Sequence, residues 1–136
     1  MQETTNRRAF LSKAAKTAAL SAVTIPALAA APAADKVFIH HVYFWLKNPE
    51  SQEDKDKLIA GLKKLATVKT INSVHIGVPA ATNRDVIDRS YSVSWCLFFA
   101  NKADQDSYQT DPIHLNFVKE CSSLWTKVIV YDSEDV

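Results

Sequence analysis

An α+β fold in the order β-α-β-β-α-β is predicted for residues 36–134, and three observations predict it. Two runs rich in β-branched and aromatic residues, Lys36 to Lys47 and Ser90 to Phe99, read as strands. Leucines recur at helical spacing between them, at Leu58, Leu62 and Leu65. A second helical stretch, broken at Asp111-Pro112, leads into a last β-rich run from Lys127 to Asp132. A chain of 136 residues with 47% hydrophobic and 23% charged residues suits one globular domain and argues against disorder.

The first strand, KVFIHHVYFWLK, is apolar on both alternating sets. Val37, Ile39, His41, Tyr43 and Trp45 share one face; Phe38, His40, Val42, Phe44 and Leu46 share the other. A strand of that kind is covered on both sides. Asn48-Pro49-Glu50-Ser51 carries cap residues, an early proline and an acid, which starts a helix running from about Ser51 to Ala66. Gly61 is a mild weakness within it. The charged run from Glu53 to Lys57 forms its solvated side. Ile71 to Val78 reads as the second strand and Pro79 to Asp88 as a polar loop. In the third strand Tyr91, Val93, Trp95, Leu97 and Phe99 alternate with Ser92, Ser94, Cys96 and Phe98. The second helical stretch starts near Lys102 and, after its break, resumes to about Leu124.

This order matches the ferredoxin-like split βαβ arrangement. Two helices cover one face of such a sheet and leave the other bare. Here the bare face carries aromatic and aliphatic side chains, too large a patch for a soluble monomer. A homodimer that packs sheet against sheet removes it.

The first thirty or so residues have a different texture. A polar start is followed by Arg7-Arg8-Ala9-Phe10-Leu11-Ser12-Lys13, an alanine-rich run, and small residues at Ala27-Leu28-Ala29 and Ala29-Ala30-Ala31 that fit an A-x-A cleavage site. The segment resembles the bacterial twin-arginine signal pattern, with Asn6 standing where that pattern has a serine or threonine. Residues 1–33 are accordingly read as a signal peptide, and the mature protein as periplasmic or secreted. A membrane anchor needs about 20 strongly apolar residues. This run is mostly alanine and contains Pro26, so no stable anchor is expected after cleavage.

The formal net charge is +1, but Arg7, Arg8, Lys13 and Lys16 against the single acid Glu3 supply more than that excess. The remainder is mildly acidic and offers no basic surface for nucleic acid. Cys96 and Cys121 form neither a CxxC pair nor a zinc spacing; in an oxidising compartment they could pair, and otherwise they read as two buried thiols. No metal and no cofactor are expected.

Chemistry would rest on four histidines, His40, His41, His75 and His114. His40 and His41 are adjacent on a strand and point to opposite faces, so one can line an inter-sheet cavity while the other lies beneath a helix. Tyr108 and His114 flank the Asp111-Pro112 break, which can bring both to one pocket.

The domain resembles the stress-responsive dimeric α/β-barrel (Dabb) family over nearly its whole length. The resemblance is carried by His41-Val42-Tyr43-Phe44-Trp45-Leu46-Lys47, Gly77, the run Tyr108-x-x-Asp-Pro-x-His114-x-x-Phe117, and Val128-x-Val130-x-Asp132. It implies a ferredoxin-like subunit that dimerises into a barrel around a central cavity. Most members have no assigned reaction. One, a plant polyketide cyclase, closes a ring with a tyrosine and a histidine; the resemblance places its strand histidine at His41, its tyrosine at Tyr108 and its catalytic histidine at His114. His114 would abstract a proton beside a carbonyl, Tyr108 would orient it or donate to the enolate oxygen, and His41 would lie across the cavity. Tyr43, Trp45 and Trp95 would line the cavity or the dimer contact.

Three functions therefore stand side by side. One is a dimer binding a small hydrophobic molecule. Another is a lyase or cyclase using His114 and Tyr108. The third is a non-catalytic structural dimer, in which the proline sets the kink, His114 caps freed carbonyls, and His40 and His75 are structural.

Overall fold

The computed structural model of the protein describes residues 34–136; the signal-peptide reading of residues 1–33 lies outside them. The elements are β1 (Phe38–Leu46), α1 (Gln52–Leu65), β2 (Ser73–Gly77), β3 (Val93–Phe99), α2 (Lys102–Thr110), α3 (Pro112–Cys121), a single 3-10 turn (Ser122–Leu124) and β4 (Trp125–Glu134). The four strands form one antiparallel sheet in the order β2-β3-β1-β4. This is the ferredoxin-like arrangement expected from the order of elements.

Each helix begins where its capping chemistry lies. Ser51 caps α1 by accepting a hydrogen bond from the Asp54 amide, and Asn101 caps α2 through the Asp104 amide. The expected kinked helix is two helices. Asp111, held extended (ψ 135°) by the following proline, ends α2 and starts α3, where its carboxylate accepts from the Ile113 amide at 2.8 Å. The chain therefore turns sharply between Tyr108 and His114 without leaving the last amide of one helix or the first of the next unpaired.

The helices cover the face that carries Phe38, His40, Val42, Phe44 and Leu46, every one of them buried. Opposite them in register stand Phe99, Leu97, Trp95 and Val93 of β3. Leu58, Leu62 and Leu65 of α1 close the core from above, together with Tyr108 of α2 and Phe117 of α3. The other set of β1, with His41, Tyr43 and Trp45, lies on the face that no element of the described residues covers. β4 is one of the two edge strands, and its Val128, Val130 and Tyr131 remain 37%, 44% and 64% exposed.

Gly61 is a place of close approach as well as a weakness in helix propensity. A Cβ at this position would lie 2.6 Å from Cys121 Sγ and 3.3 Å from the Phe117 ring, so the missing side chain lets α3 seat against α1. Gly61→Ala should therefore destabilise the fold by about 1–3 kcal/mol through overpacking, despite a helix-propensity gain of about 1 kcal/mol. Cys121→Ala removes the nearest obstructing atom, and in that background the penalty should shrink. Urea denaturation of the two single variants and the double variant measures this coupling; additive effects would show that the sulfur is not what Gly61 accommodates.

Candidate functional site

A cavity of about 160 Å³ lies between the sheet and the helices, beside the edge strand β4. Its walls are mainly apolar, formed by Val42, Phe44, Phe117, Trp125, Val128 and Val130. Its polar groups are His40, Tyr108, Gln109 and His114. The size is close to that of a cavity of about 150 Å³ that accepts benzene.

The turn at Asp111-Pro112 sets the helical half of the polar end. It brings the Tyr108 and His114 rings to a centroid separation of 4.7 Å. Tyr108 is 1% exposed, and its hydroxyl accepts a hydrogen bond from Trp95 Nε1 at 3.2 Å. Burial drives the phenol pKa far above its ordinary value, so Tyr108 stays protonated and keeps a proton to donate. His114 Nδ1 lies 3.1 Å from the Gln109 carbonyl, which can only accept. The proton therefore sits on Nδ1 and the lone pair on Nε2. Burial lowers the His114 pKa, the Gln109 carbonyl opposes this, and His40 lowers it further; the net effect keeps the ring neutral.

β1 and β4 supply the other half. The strand register sets His40 directly opposite Asp132. His40 Nδ1 donates to Asp132 Oδ1 at 2.6 Å, and the His40 ring meets Tyr108 edge-on at 5.8 Å. A carboxylate on Nδ1 orients an imidazole and leaves Nε2 as the basic nitrogen, as in histidine–aspartate pairs of acyl-transfer enzymes. His40 is 5% exposed, whereas the Asp132 side chain reaches solvent.

The structure thus brings together two of the three residues singled out as catalytic, Tyr108 and His114. His41 stands on the opposite face of the sheet, where Nδ1 lies 3.2 Å from the Tyr43 hydroxyl. The place across the cavity belongs to His40, which strand alternation alone leaves structural. Helices α2 and α3 pack on the even-numbered set of β1, and a shift of one residue along a strand reverses the face. The proposed lining residues separate in the same way. Trp95 lines the helix-side cavity, whereas Tyr43 and Trp45 line a hollow of about 340 Å³ on the open face with Tyr91, Tyr131, Lys127 and Asp88. Asp132 appeared in the closing run of the sequence but without a role. Its alternation with Val128 and Val130 placed it on one face; only the register of β4 against β1 paired it with His40.

Cys96 is on the open face and Cys121 is buried in α3 against Gly61, so the sheet separates the two thiols. Among the described residues, no group of three or more His, Cys, Asp or Glu side chains is placed to hold a metal ion. No described helix is long and apolar enough to cross a membrane.

Fold and cavity together define a ferredoxin-like α+β protein with a histidine- and tyrosine-bearing pocket between sheet and helices. The chain belongs to the family described as the stress responsive A/B barrel domain, whose model matches residues 38–135. Among solved structures it is similar to a Dabb family protein with a ferredoxin-like fold from Mesorhizobium loti, with 19% identity and a TM-score of 0.63 over 75% of this chain and 99% of that one. It is also similar to a hydroxynitrile lyase from Passiflora edulis, with 22% identity and a TM-score of 0.62 over 74% and 94% of the two chains. A third similar structure, from Thermobifida fusca, is described as a dimeric ferredoxin-like protein; it shares 13% identity, with a TM-score of 0.59 over 73% and 91%. No curated protein matches the chain.

Proposed function

We propose that this is an exported homodimer that binds a small, mainly apolar molecule in the helix-side cavity and moves a proton on it. The observation that carries the reading is the meeting of His40–Asp132, Tyr108 and His114 at the polar end of an otherwise apolar cavity. Such a site suits a benzene-sized body bearing one carbonyl or hydroxyl group. His40 Nε2, with Asp132 behind it, serves as the base. Tyr108 donates its proton to the oxygen on which charge develops, and neutral His114 serves as a second acceptor or a proton carrier. Hydroxynitrile cleavage, the activity for which the Passiflora edulis protein is named, needs such a step: a base takes the hydroxyl proton as cyanide leaves and the carbonyl forms. A cytoplasmic thioester would be out of reach of an exported protein, which favours a free small molecule over a polyketide.

Native mass spectrometry of the mature protein, purified from the cell envelope of its own source, tests the binding. The expected result is a dimer carrying a small molecule, with Val130→Trp emptying it by filling the cavity mouth. An empty dimer in the wild type, together with no thermal stabilisation by small aromatic aldehydes, would leave a structural dimer as the better account.

A further inference from the structure

We propose that protonation of His41, in the middle of the open sheet face that the homodimer closes on a second copy of this chain, opens the dimer as the pH falls. The inference rests on the homodimer reading above and adds a regulation to it.

The strand register places the residues. Cys96 of β3 pairs with His75 of β2 on one side and with His41 of β1 on the other, and His41 pairs with Tyr131 of β4. The sequence of side chains across the sheet is therefore His75, Cys96, His41, Tyr131, all on the uncovered face. The His75 ring lies over Gly77, where a Cβ would stand 2.8 Å from its Cε1. The His41 ring packs on Tyr43 with centroids 4.4 Å apart.

Little on this face can offset an imidazolium charge at His41. The row beyond holds Ser73, Phe98, Ile39 and Ser133, and the row before holds Gly77, Ser94, Tyr43 and Ile129. Burial raises the pKa of the Cys96 thiol and the Tyr43 phenol, so both stay neutral. The remaining charged groups lie at the ends of the face. Asp88 and Lys127 border the Tyr43–Trp45 hollow, where Lys127 Nζ sits 4.4 Å from the Trp45 ring centre. Asp135 accepts from the Val37 amide, four residues along from Tyr131. Beneath the sheet, His40 holds Asp132 on the other face, so that carboxylate is engaged elsewhere. In the single chain the His41 pKa is already lowered, first by burial, then by His75 and by His40.

The second copy is the occupant that this surface fits. The face is a broad aromatic and aliphatic area with its charges at the margins, and Tyr131 and Phe98 remain 64% and 37% exposed. A two-fold contact covers it with the same surface and places His41 of both copies in the interface. An imidazole that must be neutral in the dimer and can charge in the free subunit ties association to pH. The sign follows. Covering lowers the pKa, so the dimer is at full strength above the free-subunit value and weakens as the pH drops through it.

Sedimentation equilibrium on the purified protein at about pH 8 and about pH 5.5 tests this. The dimer dissociation constant should rise at least about tenfold at the lower pH, the effect of about one pH unit on the two linked His41 side chains of a dimer. In His41→Gln it should stay nearly constant. A wild-type constant that does not change with pH overturns the switch and leaves the dimer standing. A monomer at both pH values overturns the dimer reading and the switch with it. An equal acid response in His41→Gln overturns the assignment to this histidine. Should the variant fold poorly, imidazole NMR titration of the wild type at two protein concentrations decides. Linkage requires the His41 pKa to fall as concentration rises, and a concentration-independent value overturns the proposal.

Discussion

Trp95→Ala is expected to cost about 3–5 kcal/mol of folding stability, a large part of the roughly 5–15 kcal/mol that holds a domain of this size together. Trp95 is 1% exposed and sits at the centre of the sheet, opposite Val42 on one side and Ile76 on the other. Removing the indole leaves a void under α2 and deprives the Tyr108 hydroxyl of its donor. The surrounding sheet is hydrogen-bonded on both sides of β3 and can collapse only partly into that space. Urea denaturation should show the midpoint falling by about 2 M or more. Trp95→Phe keeps much of the packing and loses chiefly the hydrogen bond, so its cost should be clearly smaller. Equal losses in the two variants would mean that the N–H, and not the volume, is what the core requires.

His40→Ala is expected to slow proton abstraction by about 10²–10⁴-fold, the usual contribution of a positioned general base. Asp132→Asn should cost less but act in the same direction, because an amide can present its N–H to Nδ1 and turn the basic lone pair away from the cavity. Release of aldehyde from an aromatic hydroxynitrile, followed against pH, is a suitable measure. His41→Ala, on the opposite face, should leave the rate per folded protein within about twofold at about pH 8, since it touches no group of the cavity. Should His41→Ala cost as much as His40→Ala, the site would have to be moved to the open face. A wild type without turnover would remove the proton transfer while leaving ligand binding to be judged by mass spectrometry.

The stability of the fold on the acid side has a sign set by His114. Its pKa is lowered mainly by burial, so it holds its neutral form to lower pH than a free imidazole. In unfolded chain the group takes up its proton near the ordinary value. Its neutral burial therefore supports the fold fully above that value, and the support declines as the pH falls below it. Stability to urea should accordingly decline on the acid side of that value.

Much of the architecture could be read from local signals. Cap residues, the Asp111-Pro112 break and the leucine spacing of α1 act over a few residues, and each marked its element to within a few positions. By local pattern the break is a kink in one helix. It separates two, because Asp111 has the side chain to end one helix and cap the next. Tyr108 and His114 were found together for the same reason: the turn that joins them is local. By local pattern Gly61 is only a flaw in a helix, since its partner Cys121 lies on another helix and no local pattern shows the approach.

The sequence by itself determined the order of elements, the alternation of each strand and the opposition of His40 to His41. It did so because strand and helix periodicities are properties of the backbone, expressed over a few neighbouring residues. Only the tertiary structure decided which of those two histidines meets Tyr108 and His114. β1 is apolar on both faces, so its pattern does not state which face the helices take. That choice, like the pairing of His40 with Asp132, depends on contacts between residues far apart in the chain, and in a strand a single step exchanges one face for the other.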